Sequence, residues 1–375
     1  MGAAVRHLLL IGGGHAHVAV LADWIRRGPP PDARATLLTP HPALRYSGMV
    51  PGWIAGEHER LRGIVDLAGL AAAAGVELVL GRAVAIDPGA RHVTTAAGNR
   101  IGFDLASLDT GGVGHAARTL GEDPRLLEIR PIERFVERLD QWRRARAGDR
   151  VRAAVVGGGA GGVELALALR NLAGAGTRPE VTLVTGSAGL LPTMSRAVRR
   201  TTRGELARQG IAVIAADARF RDGALMAGGA SLEPLDLVIA AIGSAAPEWP
   251  GAGRLATDRA GFVAVDEFQR SVSHPHVFAA GDVAARADRD VAHSGVHAVF
   301  AGPKLAANLR AVLGGREPAA SYRPRWNSLY LLTTGDGRAI LSYGPIAAKG
   351  CWVRALKRWI DLRWIDTYAR SAGGA

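Results

Sequence analysis

Two glycine-rich elbows predict an α/β chain: two strand–turn–helix dinucleotide-binding units, then a small β-rich C-terminal unit ending in an amphipathic helix. Leu8 to Val18 reads LLLIGGGHAHV, and Arg152 to Leu169 reads RAAVVGGGAGGVELALAL. In both, a short apolar run meets a glycine cluster and an amphipathic run follows. That order is a buried strand, a tight turn and a helix. The third observation is the tail, where Cys351 to Arg370 interleaves aromatic residues with arginine and lysine at helical spacing.

Composition narrows the class. A chain of 375 residues forms two or three domains and buries a sizeable core. Its one cysteine, Cys351, excludes a disulfide framework and any intrachain redox dithiol. A reducing, cytoplasmic setting is the expectation. The apolar run Leu8 to Ile11 is too short for a signal peptide and leads directly into a turn. Nothing approaches the ~20 apolar residues of a membrane span. The formal charge of +12 suits an anionic membrane surface, a general arginine bias or nucleic acid, in that order. No nucleic-acid motif accompanies the charge, and no nucleic-acid partner is expected.

Taken in order, His7 to Ile11 is the first strand and Gly12, Gly13 and Gly14 form its elbow. The third fingerprint position holds His17 rather than glycine, so helix and strand sit farther apart or the imidazole fills the gap. His15 and His17 are two residues apart and do not share a helix face, which argues against a metal site. Gly28-Pro-Pro-Pro-Asp32 breaks the helix, and Ala35 to Thr39 is the second strand. Thr39 stands where a dinucleotide fold usually has an acid for the ribose. The loop Pro40 to Gly56, with Arg45, is a wall of the cofactor pocket or a structural loop. Val76 to Thr95 reads as an antiparallel excursion around Pro88-Gly89, and Phe103 to Gly112 as a strand ending in Thr110-Gly111.

Pro124 to Arg150 is a charged helical stretch before the second elbow. There Gly157, Gly159 and Gly162 fit G-x-G-x-x-G: a tight turn, a close approach to a pyrophosphate, and close helix–strand packing. The helix N-terminus offers free N–H groups to the phosphates. The next strand, Val181 to Thr185, also ends without an acid. Leu235 to Gly243 is a buried strand, and Val277 to Ala285 is a strand ending in Gly281-Asp282. Gly302-Pro303-Lys304 reads as a helix start, with proline in the first turn. Tyr322 to Gly350 is a terminal β-rich unit. In the last helix, Trp352, Leu356, Trp359, Ile360, Trp364 and Tyr368 form a stripe, with Arg354, Lys357, Arg358, Arg363 and Arg370 as cations. That pattern describes an interfacial membrane anchor, or a helix packed on the body or on a second subunit as in a homodimer.

GGGHAHV, YSGMVPGWIAG (Tyr46 to Gly56), GGGAGGVELALALR, AAGD (Ala279 to Asp282), AGPKLAANLRA (Ala301 to Ala311) and TTGDGRAILSYGPIAAKG (Thr333 to Gly350) together resemble the two-dinucleotide flavoproteins. That group holds the disulfide reductases, type II NADH dehydrogenases and sulfide:quinone oxidoreductases. The chain is most similar to the NADH-dehydrogenase-like module found fused to selenide, water dikinase. The resemblance implies two Rossmann-like domains. An FAD domain would take residues 1–115 and 258–318, an NAD(P) domain 116–257, and the β unit with its helix 319–375. It implies FAD against Gly12, Gly13, Gly14, His15, Ala16, Thr39, Arg45, Thr110, Gly111, Gly281, Asp282 and Pro303. It implies NAD(P)H against Gly157, Gly159, Gly162 and Thr185.

The implied activity passes electrons from NAD(P)H through FAD to a quinone or similar small-molecule acceptor, at the cytoplasmic membrane surface. Glu164 is the candidate for handling a proton near the flavin, or else a helix-face hydrogen bond. Lys304 is the candidate for charge near the flavin. Without paired cysteines, disulfide reduction and a sulfide-oxidising persulfide relay are disfavoured. A flavoprotein oxidising another small reductant, such as a selenium or sulfur compound, is the rival enzyme. A membrane- or nucleic-acid-associated redox-sensing flavoprotein is the rival from another class.

Overall fold

The computed structural model describes residues 5–174, 176, 178–324 and 327–373, with side chains described to Ala369. Two five-stranded parallel sheets carry the two elbows. The first places Arg6–Ile11 at its centre, between Ala33–Thr39 on one side and Leu105–Leu108 on the other. Glu77–Leu80 and Val277–Ala279 close its edges. The second has Arg152–Val156 at its centre, flanked by Glu180–Val184 and Leu237–Ala240, with Ala212–Ile214 and Leu126–Glu128 outermost. Both central strands are buried on two faces, which is why they read as continuous apolar runs rather than alternating ones.

Several boundaries differ from the sequence reading. Glu77–Leu80 joins the parallel sheet, and the antiparallel excursion comprises Ala83–Asp87, His92–Thr95 and Arg100–Gly102. The charged stretch after Pro124 contains a short strand, Leu126–Glu128, before its helix Ile132–Ala145. Three apolar-to-mixed residues carry too little pattern to separate from a helix.

The larger correction concerns Pro303. The helix runs Gly295–Leu313, and Pro303 lies inside it rather than at its start. A Cβ on Gly302 would stand 2.8 Å from the Ala19 Cβ and 3.1 Å from the Ala16 Cα. Gly302 is therefore the point where this helix crosses the first elbow helix, His15–Arg27, not a turn. The close crossing holds the helix through a proline that removes one backbone hydrogen bond.

The C-terminal sheet pairs Leu329–Thr333, Ala339–Tyr343 and Ile346–Gly350 as an antiparallel meander. It feeds the helix Cys351–Gly373. The six-residue aromatic stripe does not stay on one face. Each four-residue step advances ~40° at ~3.6 residues per turn, so the stripe winds around the helix. Trp352 and Trp359 point outward, 55% and 57% exposed. Trp364 and Tyr368 turn inward onto the core of the first unit, beside the buried Ile365. The helix is thus docked on the body along one side. No helix among the described residues is long and apolar enough to cross a membrane.

Candidate active site

The first elbow sits at the C-terminal end of its central strand, where open α/β sheets bind ligands. Gly12 has φ +95°. A Cβ on Gly14 would stand 2.3 Å from the Asp109 carboxyl carbon, so only glycine fits there. His17 fills the gap left by the missing third glycine. It is fully buried, its Nδ1 donating to the Gly12 carbonyl at 2.6 Å and its Nε2 lying 2.9 Å from the Ser107 hydroxyl. Burial holds its pKa down at about 4, so the ring is neutral and Nε2 accepts from Ser107.

Asp109, unnoticed within the strand FDLASLDTGG, is the centre of this elbow. It is 3% exposed, and its Oδ2 accepts from the Ala16 and His17 N–H groups at 2.7 and 3.0 Å. Burial raises its pKa to about 7 against the pull of those two N–H groups, and Asp282 raises it further. Gly281 closes on the same carboxylate, with its Cβ position 2.5 Å from Oδ1. Asp282 is buried and its carboxylate meets Arg130 Nη2 at 2.5 Å. Arg130 comes from the second unit and lies 3.7 Å from the Cβ position of Gly111, beside Thr110. A separation of 152 residues hid this ion pair from any local pattern.

The other expected FAD residues divide. Thr39 is buried at the strand end and spends its hydroxyl on the His41 carbonyl at 3.2 Å. Arg45 is also buried, but its donors go to Glu133 at 3.1 Å and the Arg60 carbonyl at 2.8 Å, so it ties the two units together. His15 stacks near Tyr46 and Trp364, with ring centroids 5.6 and 5.1 Å away. Burial lowers its pKa to about 4. Pro303 and Lys304 are exposed at the middle of their helix. The N-terminal end of that helix, capped by Ser294, instead lines a cleft with Asp282, His293, His297 and Tyr322.

At the second elbow Gly157 has φ +138°, and a Cβ on Gly162 would stand 2.0 Å from the Gly157 carbonyl oxygen. Gly159 differs: its Cβ direction opens onto empty space at the start of the helix Ala160–Arg170. That is the place a pyrophosphate needs. Thr185 is buried and its hydroxyl points at the Ile214 and Gly186 carbonyls, both at 3.3 Å.

Glu164, on the second elbow helix, faces away from that pyrophosphate position. Its Oε1 accepts from the Thr333 N–H at 2.8 Å. Burial raises its pKa to about 7; Lys357 and the Thr333 N–H pull it down, and Asp361 and Glu57 push it up. Lys357 Nζ lies 3.1 Å from Asp361 Oδ2 and donates to the Gly48 carbonyl at 3.1 Å. Its pKa is raised, because Glu164 and Asp361 outweigh the opposing effect of burial. The Tyr46 hydroxyl is also held well above its usual range by burial and by Asp361. A cavity of about 160 Å³ opens beside this cluster, walled by Met49, Gly52, Glu57, His58, Thr333, Lys357 and Asp361.

The residues fit two dinucleotides. Both elbows end buried strands, and the space at Gly159 is open. Around the first elbow, the buried His15 Nε2, Trp364 Nε1 and Ser294 Oγ have no hydrogen-bond partner among the described residues. Buried polar atoms of this kind are costly unless a ligand or water meets them.

The family model for pyridine nucleotide-disulphide oxidoreductases matches residues 6–308. The chain belongs to this family. As a member it is an FAD-dependent oxidoreductase, with FAD and a nicotinamide dinucleotide as its cofactors. The sulfide:quinone oxidoreductase of Aquifex aeolicus superposes with a TM-score of 0.78 at 19% identity, over 98% of this chain and 92% of that one. The water-forming NADH oxidase of Lactobacillus brevis, bound to NADH, gives 0.72 at 20% identity, over 90% and 75%. A ferredoxin reductase of Rhodopseudomonas palustris gives 0.72 at 20%, over 90% and 81%. At these identities the likeness is one of fold. Comparison with curated protein sequences finds no match.

Proposed function

We propose that the chain passes electrons from NAD(P)H, by way of FAD, to a quinone that enters the cavity beside Lys357. The observation that carries this reading is that Lys357 and Asp361 line that cavity, with Glu164 behind them on the Thr333 N–H. Reducing a quinone to a quinol takes two electrons and two protons, and bound FAD supplies the two-electron carrier. The chain must supply the protons and shield the site. Glu164, with a pKa of about 7, is suited to give and regain a proton near neutrality. The Lys357 ammonium faces the cavity, where it would stabilise negative charge developing on a quinone oxygen. Asp361 and the Gly48 carbonyl hold that ammonium in place.

The remaining features support the same reading. Cys351, the one cysteine, is exposed at the start of the last helix, so a dithiol or persulfide relay has no partner thiol. The cavity wall joins residues of the 48–62 segment, Met49 among them, to residues of the C-terminal helix, Leu362 among them, and that helix shows Trp352 and Trp359 on its outer side. Exposed tryptophan among arginines favours peripheral attachment to an anionic membrane, the reservoir of lipid-soluble quinones. The deciding experiment is anaerobic titration of the yellow protein with NADH and NADPH, then reoxidation by a panel of quinones. Bleaching by a nicotinamide and rapid recovery with quinone is the expected result. Recovery with oxygen alone, or with none of the quinones, would remove the acceptor from this reading.

A further inference from the structure

The end of the strand Glu180–Val184 is where a doubly wound fold presents an acid to the adenosine ribose, and this chain has Thr185-Gly186-Ser187 there. The structure brings an acid to that place by another route. The neighbouring parallel strand Ala212–Ile214 pairs Ile214 with Val184, so the chain leaving Ile214 runs alongside Thr185 to Ser187. Three residues on, Asp217 accepts a hydrogen bond from the Ser187 N–H through Oδ1 at 2.9 Å. The same oxygen stands 3.3 Å from the Cβ position of Gly186. Asp217 is exposed, so its other oxygen faces the open side of this strand end. Thr185 cannot serve in its stead, because its hydroxyl is turned onto two backbone carbonyls.

We infer that Asp217 is the specificity-determining residue of the second dinucleotide site, reading the adenosine ribose and rejecting a 2′-phosphate. The argument needs two parts, and each is physical. A carboxylate oxygen beside the strand end accepts from a ribose hydroxyl, as the usual strand-end acid does. A 2′-phosphate brought to the same place sets like charges against each other. It also competes for the Ser187 N–H that Asp217 already holds. Charge repulsion of this kind discriminates by penalty against the wrong ligand rather than by added affinity for the right one. Such an acid is not legible as a fingerprint, because it lies 60 residues past Gly157, the first glycine of the G-x-G-x-x-G, and beyond a different strand. The sequence alone, finding no acid after Val184, predicts weak discrimination; the strand pairing predicts strong discrimination for NADH.

The test uses the FAD-loaded full chain and two fragments that carry only the discriminating end: adenosine 5′-monophosphate and adenosine 2′,5′-bisphosphate. Binding is measured by calorimetry at low and high salt. The wild type should favour the monophosphate by about tenfold or more, a difference of the size one close charge commonly sets, and the preference should shrink as salt screens it. Asp217→Asn keeps an acceptor for the Ser187 N–H and removes the charge. It should tighten the bisphosphate about tenfold and change the monophosphate by less than about threefold. Asp217→Ala removes both functions and should weaken the monophosphate as well. Retained FAD and an unchanged far-ultraviolet spectrum check that each variant is folded. Equal affinity of the wild type for the two fragments would overturn the inference. So would an Asn variant that shifts both fragments alike, or one that keeps the wild-type preference. Neither fragment reaches the acceptor cavity, so a failed quinone assay leaves this result standing.

Discussion

Replacing Lys357 with methionine keeps the stem of the side chain and removes the one cation that Glu164 and Asp361 share. Lys357 is 14% exposed and Asp361 10%, at a separation of 3.1 Å, so the pair is largely out of water. Removing one partner of a buried pair leaves an uncompensated charge and costs about 3–5 kcal/mol. The cost should depend on pH in a definite direction. The wild-type Glu164 titrates at about 7. Without Lys357 its pKa must rise, since that cation is the largest influence pulling it down. Between pH 7 and the new value, the folded variant holds a proton that the folded wild type has lost, while the unfolded chains are alike. Stability changes with pH as the difference in bound protons, so the variant loses about 1.4 kcal/mol more per pH unit across that window. Below pH 7 both forms are protonated and the extra loss vanishes. Urea unfolding with saturating FAD at pH 6, 7 and 8 measures this. A cost under about 1 kcal/mol, or one that is the same at pH 6 and 8, would refute the shared-cation account.

Gly159→Val should raise the apparent KM for the nicotinamide donor sharply and leave FAD content unchanged, because its side chain enters only the open space at the second elbow; a parallel loss of FAD, read by absorbance, would refute it. Asp109→Asn should gain stability over the apoprotein wild type as pH rises from 6 to 8. The Asp109 pKa is raised from 3.8 to about 7, so its contribution is fully present below 3.8 and is lost as pH rises through 7; denaturation at three pH values checks the sign. Replacing Trp352 and Trp359 together by serine should weaken co-sedimentation with anionic vesicles without changing FAD content or reduction by NADH, since both side chains point away from the body. Full-length wild type that ignores vesicles at every salt concentration would end the membrane proposal.

Legibility followed the distance between partners. The elbows could be read because strand, turn and helix are contiguous, and because Gly162 answers a clash within that segment, against the Gly157 carbonyl. Gly281-Asp282 could be read as a short segment, but its partner Arg130 could not. Asp109 was in view as part of a strand, yet nothing local shows that its carboxylate turns back onto the helix after Gly14. Glu164 stands out in the sequence, whereas Lys357 reads as one of the cations of an anchor helix and Asp361 carries no signal of its own. Only the packing of that helix against Thr333 and Gly48 shows which of its charges face inward. Gly302-Pro303 failed for a related reason. A glycine before a proline reads as punctuation, but here it is a contact surface between two helices, set by the small residues Ala16 and Ala19 opposite.

The last helix also changes what an experiment on it can mean. Deleting residues from Cys351 onward would remove the outward Trp352 and Trp359, but equally Lys357 and Asp361 from the cavity and Trp364 from its place against His15 and Tyr46. Loss of activity after such a deletion would say nothing about a membrane. The helix has two faces with separate chemistry. The inner one supplies Lys357 to the cavity, alongside Arg354 and Arg358, and covers the first elbow; the outer one presents Trp352, Trp359 and Arg363 to whatever lies outside. Peripheral binding through the outer face would set the cavity mouth beside the lipid surface, because both faces belong to one rigid element packed on Leu67–Ala73 and on the strand Ala339–Tyr343. The double serine variant isolates the outer face, and Lys357→Met isolates the inner one. If the acceptor arrives from lipid, the first should slow long-tailed quinones and spare short soluble ones, whereas the second should slow both.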